Sequence, residues 1–452
     1  MNSSPRFTLA LIAGDLAGVI LAFNAVGFLR GIVALPESLL LWPLLVPAAL
    51  LIAALALIDG YSPRTDLLSL DYTSQHLIAT SLAMLATLLI TFVVFSGGLQ
   101  LQQSRAVILL AFLLQAPWGL FIRRVLALRR AAVHRFHGVI FIGDPASGQT
   151  FAAECARIAF DRPVTYAALP SETANTERPA VEELITCIEA GTLPVDAIVL
   201  RESAQNLPPD LPDRLMRLHF QGIPTYTLEL FHEVIWRKIP LYRINPIWLF
   251  QGGFQIAREP IFDRLKRVCD LLLAFVVLLL AAPLLALAAL AIKLEDGGPI
   301  LFRQTRIGRH RHPFTLLKLR TMRATPGGDR YTAPGDRRIT RIGALLRASR
   351  LDELPQLWNV FTGEMSMIGP RAEWDVLVAD YEKQIPCYHY RHLVRPGITG
   401  WAQVNYPYGA NLEDTSRKLE YDLYYIRRYS LRLDAAIVLK TMHVMLFGKG
   451  GR

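Results

Sequence analysis

The chain has 452 residues, enough for two or three domains, and its 52% hydrophobic and 19% charged residues predict that part of it lies in a lipid bilayer. Its net charge of +10 suits anionic lipids, anionic small substrates or nucleic acid. Nucleic acid is disfavoured because the basic residues cluster beside apolar runs and in one C-terminal block, and no zinc-finger, homeodomain-like or RNA-recognition signature occurs. The four cysteines lack the CxxC spacing that would indicate a zinc site.

Four apolar runs fill the N-terminal region, and each approaches the ~20 residues that a membrane-spanning helix needs. They are Phe7–Phe28, Leu39–Ile58, His76–Phe95 and Val107–Ile122. Five arginines follow the last run: Arg123, Arg124, Arg129, Arg130 and Arg135. The positive-inside rule therefore predicts a cytoplasmic end here and, with four spans, a cytoplasmic N-terminus. Asp15 is the clear intramembrane charge and lies near a helix end, which argues against a transporter. We expect a four-helix transmembrane region over residues 1–125.

Residues 134–245 alternate between strand and helix patterns. "GVIFIGD", "VDAIVLRES" and "GIPTYTL" have the composition of buried strands, with helical stretches between them. This alternation predicts a Rossmann-like, doubly wound α/β domain. Its turn "GDPASG", Gly143–Gly148, is a degenerate dinucleotide fingerprint, because Pro145 stands where a glycine would let the backbone approach a pyrophosphate. A structural or regulatory module is favoured over nucleotide binding.

A further apolar run, Leu271–Ile292, is long enough to cross a bilayer, since 22 helical residues rise ~33 Å. Basic residues flank it on both sides: Arg264, Lys266 and Arg267 before it, and Lys293, Arg303, Arg306 and Arg309 after it. Both flanks thus carry the cytoplasmic signature. Pro283 removes a backbone donor near the middle and predicts a kink. We expect a re-entrant helix hairpin over residues 268–293; a fifth span kinked by proline is the alternative.

Two adjacent carboxylates, Asp352 and Glu353, stand in "RASRLDELPQLWNV". Ser349 three residues before Asp352 fits a helix capping box. A reactive pair that handles phosphate and a metal is the other interpretation. If a helix starts near Asp352, with Pro355 in its first turn, its positive end points at the same phosphate, so both interpretations share one geometry. The surrounding arginines and lysines suit phosphate oxygens, and equally a solvated face against lipid headgroups.

Five motifs in the C-terminal part of the chain, residues 262–452, occur in a specific order. They are Gln304-x-Arg306 with Gly308, "KLRTM" (Lys318–Met322), "DELPQLWNV" (Asp352–Val360), "MSMIGPR" (Met365–Arg371) and "RPGITGWAQV" (Arg395–Val404). This region resembles the bacterial polyprenyl-phosphate hexose-1-phosphate transferases. The preceding spans and α/β domain match the large, multi-span form of that family. The tail after Val404 is similar to the branch found with exosortase (PEP-CTERM) loci.

The resemblance implies an enzyme that transfers a sugar 1-phosphate from a UDP-sugar to polyprenyl (undecaprenyl) phosphate, releases UMP and initiates exopolysaccharide repeat units. It implies a phosphosugar-aspartyl intermediate on Asp352, with Glu353 and Asp352 holding Mg²⁺. The residues it assigns to substrate phosphate or nucleotide are Arg347, Lys318, Arg320, Arg371, Gln304 and Arg306. It further implies a mainly helical catalytic domain on the cytoplasmic side of the bacterial inner membrane, in contact with membrane lipids, and a homodimer.

Three departures from the family pattern are visible. Ala372 follows Arg371 where proline is common, which predicts a looser turn, and Asp329 is the one acid left in a segment that is often acidic. Ala282 precedes Pro283 where a hydroxyl residue is frequent. An alternative function is a membrane-anchored, nucleotide-responsive scaffold or regulator of polysaccharide assembly that lacks transferase activity. No residue discriminates the sugar.

Overall fold

In the computed structural model the chain divides into two compact units, residues 1–236 and 237–452. The structure describes residues 5–31, 39–62, 65–94, 105–133, 137–158, 160, 162–167, 180–201, 207–243, 260–323, 336, 338–407, 409 and 411–447. Two residues named above, Arg135 and Asp329, lie outside these ranges.

The N-terminal unit begins with four helices: α1 (Pro5–Leu29), α2 (Leu45–Leu57), α3 (Leu70–Leu89) and α4 (Arg105–Val133). Three of the predicted spans fall in helices that are long and apolar enough to cross a membrane, Arg6–Leu29, Leu70–Phe92 and Arg105–Arg129. The predicted span Leu39–Ile58 differs, because its helical part is the shorter Trp42–Leu57. The helices pack as neighbours, α1 against α4 and α2 against α3.

Asp15 and Arg123 correct the sequence-based view of charge in this bundle. The sequence counts Arg123 among the basic residues that follow the fourth apolar run, but the side chains of Asp15 and Arg123 are both fully buried and form a two-pronged ion pair with N–O distances of 2.8 Å. The hydroxyl of Tyr61 donates to the Asp15 carboxylate at 2.7 Å, and Nε of Arg123 donates to the hydroxyl of Tyr72 at 2.8 Å. The pair joins α1 to α4, and Tyr72 extends the network to α3.

The rest of this unit is an α/β domain. Its elements are β1 (Gly138–Ile142), α5 (Pro145–Arg157), β2 (Val164–Ala167), α6 (Val181–Glu189), β3 (Val195–Leu200), α7 (Leu211–Phe220), β4 (Thr225–Thr227) and α8 (Leu228–Phe231). The four strands pair in parallel in the order β2-β1-β3-β4. Apolar residues of α6 and α7 pack on one face of the sheet, and those of α5 and α8 pack on the other.

The turn after β1 is occupied by its own side chains. Asp144 caps α5, because its carboxylate accepts from the amide of Ser147 at 2.9 Å. Arg201, directly after β3, pairs with the Asp144 carboxylate at 2.9 Å and donates to the Ser147 hydroxyl at 2.8 Å. A carboxylate thus stands at the helix start where a phosphate-binding turn would place an anion, which favours the structural interpretation of "GDPASG".

The C-terminal unit is mainly helical. Its elements are α9 (Pro260–Asp296), β5 (Leu301–Ile307), β6 (Pro313–Leu319), α10 (Arg341–Ala348), α11 (Gln356–Thr362), β7 (Ser366–Ile368), α12 (Asp375–Gln384), β8 (Gly397–Thr399), α13 (Trp401–Asn405), α14 (Leu412–Arg427) and α15 (Leu431–Phe447). β5 and β6 form an antiparallel hairpin, and β7 pairs in parallel with β8.

The segment just after the unit boundary belongs to the C-terminal unit. Lys238 pairs with the buried carboxylate of Glu420 at 3.1 Å, and the amide of Ile239 donates to the backbone carbonyl of Glu420 at 3.0 Å. The sequence assigned this segment to the α/β domain, whose predicted end was residue 245. Lys238 and Ile239, which contact Glu420 of α14, lie within those predicted bounds.

α9 contains the predicted re-entrant segment, and its helical assignment continues through Pro283. One face of the helix is buried along its whole length: Lys266, Asp270, Ala274, Ala281, Ala288 and Ile292. These positions recur every four or seven residues, the spacing of one helix face. The opposite face exposes large apolar side chains, including Leu272, Phe275, Leu280, Leu287 and Leu294. This helix, over Asp263–Asp296, is the fourth that is long and apolar enough to cross a membrane.

Candidate active site

The two adjacent acids lie in a turn between α10 and α11. Ser349 ends α10, and its hydroxyl donates back to the carbonyls of Leu345 and Leu346 at 2.9 and 3.2 Å. Arg350 follows with a left-handed φ of 59°, and Leu351–Glu353 then form one 3₁₀ turn. The predicted capping box is therefore wrong, because the left-handed Arg350 separates Ser349 from the next helix. α11 begins three residues after Glu353, at Gln356.

The two carboxylates have different partners. Glu353 Oε1 accepts from Nζ of Lys318 at 2.9 Å and lies 3.8 Å from the guanidinium of Arg371, while its Oε2 lies 3.9 Å from that of Arg350. Asp352 is 8% exposed. Within the described part of the chain, its carboxylate forms no hydrogen bond and no ion pair. Glu353 is thus held in place by three cations, whereas the carboxylate of Asp352 has no such partner among these residues.

The surroundings move the pKa values of the two acids apart. Burial raises the pKa of Asp352 and the adjacent charge of Glu353 adds to that, so the opposing charges of Lys318 and Arg347 do not bring it back. Burial would also raise the pKa of Glu353, but the charges of Lys318 and Arg371 outweigh it and lower this pKa to about 2. At neutral pH Glu353 is a fixed anion within a basic cluster.

The β5–β6 hairpin carries two basic residues to the site. Arg306 on β5 and Lys318 on β6 line one small cavity together with Arg371 and Gln356. Gln304 holds Arg306 in place, since its side-chain oxygen accepts from Nη2 at 2.6 Å, and the other end of the guanidinium donates to the carbonyl of Ala372 at 3.0 Å. Three cations therefore converge on one cavity, an arrangement that suits phosphate oxygens.

Two predicted phosphate-binding residues occupy other positions. Arg320 pairs with the carboxylate of Asp296 at the end of α9 and packs against Gly298, and it does not line the cavity. Arg347, half-buried at the end of α10, contributes its charge to the environment of Asp352. The structure thus brings Lys318, Arg306 and Arg371 together with the acids and leaves Arg320 at the foot of α9.

Asn359 is a site residue that sequence reasoning missed. It is buried on α11, where its amide nitrogen donates to the carbonyl of Thr315 at 2.7 Å and its oxygen accepts from the amide of Leu317 at 3.1 Å. The Asn359 side chain thereby makes the two hydrogen bonds that a neighbouring strand would make to the outer edge of β6. These bonds fix the position of the strand that carries Lys318 relative to the acids. An asparagine within an otherwise apolar helix pattern, "QLWNVF", was the available signal.

The "MSMIGPR" segment is held by backbone bonds. The amide of Gly369 donates to the carbonyl of Thr399 at 2.9 Å, and the amide of Gly397 donates to the carbonyl of Pro370 at 2.9 Å. A Cβ at Gly397 would lie 2.1 Å from the nitrogen of Gly369, so only glycine permits this approach. Ala372 itself is buried. With alanine at this position, the segment is still fixed by these backbone hydrogen bonds.

Comparison with known proteins places the site in a family. A family model described as bacterial sugar transferase matches residues 261–448. A UDP-glucose:undecaprenyl-phosphate glucose-1-phosphate transferase of Caulobacter vibrioides is 46% identical over 188 residues, which cover 41% of this chain and 70% of that protein. The chain belongs to the bacterial sugar transferase family. The α9-to-α15 region, with both acids and the three converging cations, is the part that this family shares.

Two longer relatives align over less of their own length. A UDP-N-acetylgalactosamine-undecaprenyl-phosphate N-acetylgalactosaminephosphotransferase of Aeromonas hydrophila is 38% identical over 277 residues, 59% of this chain and 64% of that protein. A UDP-glucose:undecaprenyl-phosphate glucose-1-phosphate transferase of Escherichia coli is 43% identical over 182 residues, 39% of each chain. The chain therefore spans less than two thirds of either protein.

The carboxylate oxygens of Asp352 and Glu353 are of the donor type that Mg²⁺ prefers. Asp352 and Oε2 of Glu353 are hard oxygen donors within one turn, and the nearest cation to Oε2 is beyond hydrogen-bond distance at 3.9 Å. Among the described residues, no group of three or more His, Cys, Asp or Glu side chains could hold a metal. One or two carboxylates completed by phosphate oxygens and water is the usual protein site for Mg²⁺.

Proposed function

We propose that this protein transfers a sugar 1-phosphate from a UDP-sugar to polyprenyl (undecaprenyl) phosphate, giving polyprenyl-diphosphate-sugar and UMP, as a first step of exopolysaccharide synthesis. The observation that carries the proposal is the contrast between the two acids. Asp352 is buried and unpaired among the described residues, beside a Glu353 that Lys318 and Arg371 hold as an anion. The names of the relatives supply the two substrates.

In the proposed first step, a carboxylate oxygen of Asp352 attacks the β-phosphorus of the UDP-sugar. An oxygen–phosphorus bond forms to Asp352, the bond between this phosphorus and the bridging oxygen breaks, and UMP leaves with the electron pair. In the second step a phosphate oxygen of the acceptor attacks the same phosphorus, and Asp352 leaves as a carboxylate. The raised pKa of Asp352 makes it a more basic carboxylate, and its lack of partners means that no contact must break before attack.

The basic residues would bind and orient the diphosphate. Lys318, Arg306 and Arg371 line one cavity, so they can contact several phosphate oxygens at once. Glu353 keeps Lys318 and Arg371 near that cavity. We propose that Glu353 and Asp352 hold Mg²⁺ through the oxygens described above; when bound, the ion would neutralise charge that develops on the departing UMP.

We further propose that α9 enters and leaves the inner membrane on its cytoplasmic side. Both ends of the helix contact the same unit: Lys266 pairs with Asp434 of α15 at 2.7 Å, and Glu295 accepts from the amide of Arg341 at the start of α10 at 2.8 Å. A helix that crossed the bilayer would separate its two ends by ~30 Å of hydrocarbon. Labelling of a cysteine at Lys383, an exposed position of α12, from the periplasmic side would contradict this placement.

The decisive assay for the proposed function is UMP release. Purified protein with Mg²⁺ and polyprenyl phosphate is offered a panel of UDP-sugars, and at least one sugar should yield UMP and a lipid-linked product. Asp352→Asn should abolish release, because an amide is a poor nucleophile, whereas Asp380→Asn on the exposed face of α12 should retain it. No release across the panel would favour the scaffold alternative. The exosortase-associated branch and the homodimer stay predictions.

A further inference from the structure

The C-terminal unit contains a second cavity, of about 320 Å³, close to the acids. Its lining consists of apolar side chains from α9, the β5–β6 hairpin, the turn after Glu353 and α11: Leu278, Leu301, Leu317, Leu354, Pro355 and Trp358. Its volume lies at the lower end of the range of small-ligand sites, which is about 300–1,000 Å³. The proposed function, as described so far, gives this cavity no role.

The turn that carries the acids contacts the linings of both cavities. Successive residues of a strand face opposite sides, so Lys318 on β6 lines the polar cavity and Leu317 lines the apolar one. The turn crosses the outer edge of β6 in the same way: Glu353 reaches Lys318, while the next residue, Leu354, lines the apolar cavity. A ligand with one charged and one hydrocarbon part would therefore find both surfaces near the turn that carries Asp352.

The apolar cavity is continuous with the exposed apolar face of α9. Trp358 at its rim is 60% exposed, and Leu301 is 37% exposed. Leu278 belongs to α9. Phe275, three residues earlier, is 57% exposed, and Leu279, the next residue, is 63% exposed. Hydrocarbon can thus reach the cavity from the lipid-facing surface without crossing a polar rim.

We propose that this cavity binds the isoprene units nearest the phosphate of the polyprenyl phosphate acceptor. The inference rests on the proposed function, since it assumes that Asp352 carries the phosphosugar group which the acceptor phosphate attacks. A UDP-sugar has no hydrocarbon part, so the acceptor is the substrate whose chemistry matches both surfaces. The chain would enter from α9, with the phosphate held at the basic cluster around Lys318.

A kinetic test separates acceptor binding from donor binding. In detergent, Trp358→Ser and Leu301→Ser should each raise KM for polyprenyl phosphate, the former by about tenfold, because loss of a buried large apolar contact costs about 1.5 kcal/mol or more. KM for the UDP-sugar should stay at the wild-type value. Leu345→Ser is the matched control, because this leucine on α10 is 66% exposed but lies outside the cavity. An unchanged KM for polyprenyl phosphate in Trp358→Ser would overturn the inference.

Exchange of labelled UMP into UDP-sugar needs no acceptor. It therefore tests the aspartyl mechanism separately from the assignment of the apolar cavity to the acceptor. Wild-type protein that fails to exchange UMP contradicts the aspartyl mechanism; normal exchange with an unchanged acceptor KM in Trp358→Ser contradicts the cavity assignment alone.

A polyprenyl phosphate with a diazirine near its phosphate provides a test without turnover. Cross-links should fall on peptides that contain Leu278 or Trp358, and excess unlabelled polyprenyl phosphate should remove them. Removal by phospholipid instead, or cross-links confined to α1–α4, would overturn the inference.

Discussion

Asp352 and Glu353 are adjacent in the chain, yet their partners give them different properties. Glu353 has three cationic neighbours, Lys318, Arg371 and Arg350, which keep it ionised, whereas Asp352 has burial and one adjacent negative charge, which raise its pKa. An attacking carboxylate must be ionised. Activity that depends on Asp352 should therefore decline on acidification while Glu353, with its pKa at about 2, is still charged.

Arg350 offers a test of this difference, because its positive charge lowers the pKa of Asp352 without entering the polar cavity. Removing that charge in Arg350→Gln should raise the pKa of Asp352, so the loss of kcat/KM for UDP-sugar should begin at a higher pH. The side chain is 41% exposed, so the shift should be modest, about 0.2–0.7 pH unit for a contact of about 0.2–1 kcal/mol.

Arg350→Lys is the control for that prediction, because it keeps the charge and the same left-handed position, and its pH profile should follow that of the wild type. A profile of Arg350→Gln that moved to lower pH, or that did not move while Arg350→Lys behaved as wild type, would contradict the electrostatic account of Asp352.

At the scale of elements, the network around Arg123 shows how α1 and α4 are held together. Asp15 and Arg123 are fully buried and 108 positions apart in sequence. Removing one member of such a pair leaves a buried charge without compensation and typically costs about 3–5 kcal/mol, whereas replacing both by apolar groups of similar volume is often nearly neutral.

Arg123→Met should therefore lower the thermal unfolding midpoint of the purified protein strongly, and the double variant Asp15→Leu with Arg123→Met should recover a large part of that loss. Arg124→Met is the matched control, because Arg124 is exposed and its side chain forms a long, 3.3 Å contact with Thr73. If Asp15→Leu and Arg123→Met lowered the unfolding midpoint equally, and the double variant lowered it by the sum of the two, the ion pair would not couple α1 to α4.

The Asp15–Arg123 ion pair is a long-range contact that the sequence alone did not predict. Hydropathy predicted that α1, α3 and α4 exist, because apolar runs of about 20 residues are a local signal. It counted Arg123 with the basic residues after the fourth run and did not predict its burial, because its partner Asp15 lies 108 positions earlier in the sequence. The short α2 was overestimated for a related reason: hydropathy gives the extent of an apolar run, not where its helix begins.

The active site divides in a comparable way. Motif order led to Lys318, Arg306 and Arg371, and the structure brings these three to one cavity. The position of Arg320 depends on its ion pair with Asp296, the last residue of the 37-residue α9. A local sequence pattern does not indicate this contact. The capping box failed because a single left-handed residue, Arg350, interrupts a spacing that otherwise fits.

At the scale of the whole C-terminal unit, α9 combines two surfaces in one helix. Its inner face carries Lys266, Asp270 and small residues that pack against the catalytic elements, and its outer face exposes large apolar side chains. The apolar cavity is lined in part by Leu278 of this helix, and Lys318, which lines the polar cavity, pairs with Glu353. This arrangement would let a water-soluble nucleotide donor and a lipid phosphate meet at one carboxylate.

The most direct test of that claim is the mass of the peptide that contains Asp352. Protein incubated with a donor UDP-sugar and Mg²⁺ in the absence of polyprenyl phosphate, then quenched in acid, should carry one sugar phosphate on Asp352 and should release UMP in equal amount. Subsequent addition of polyprenyl phosphate before quenching should discharge it. Turnover to lipid-linked product without any modified peptide under rapid quenching, or modification at another residue, would contradict the account.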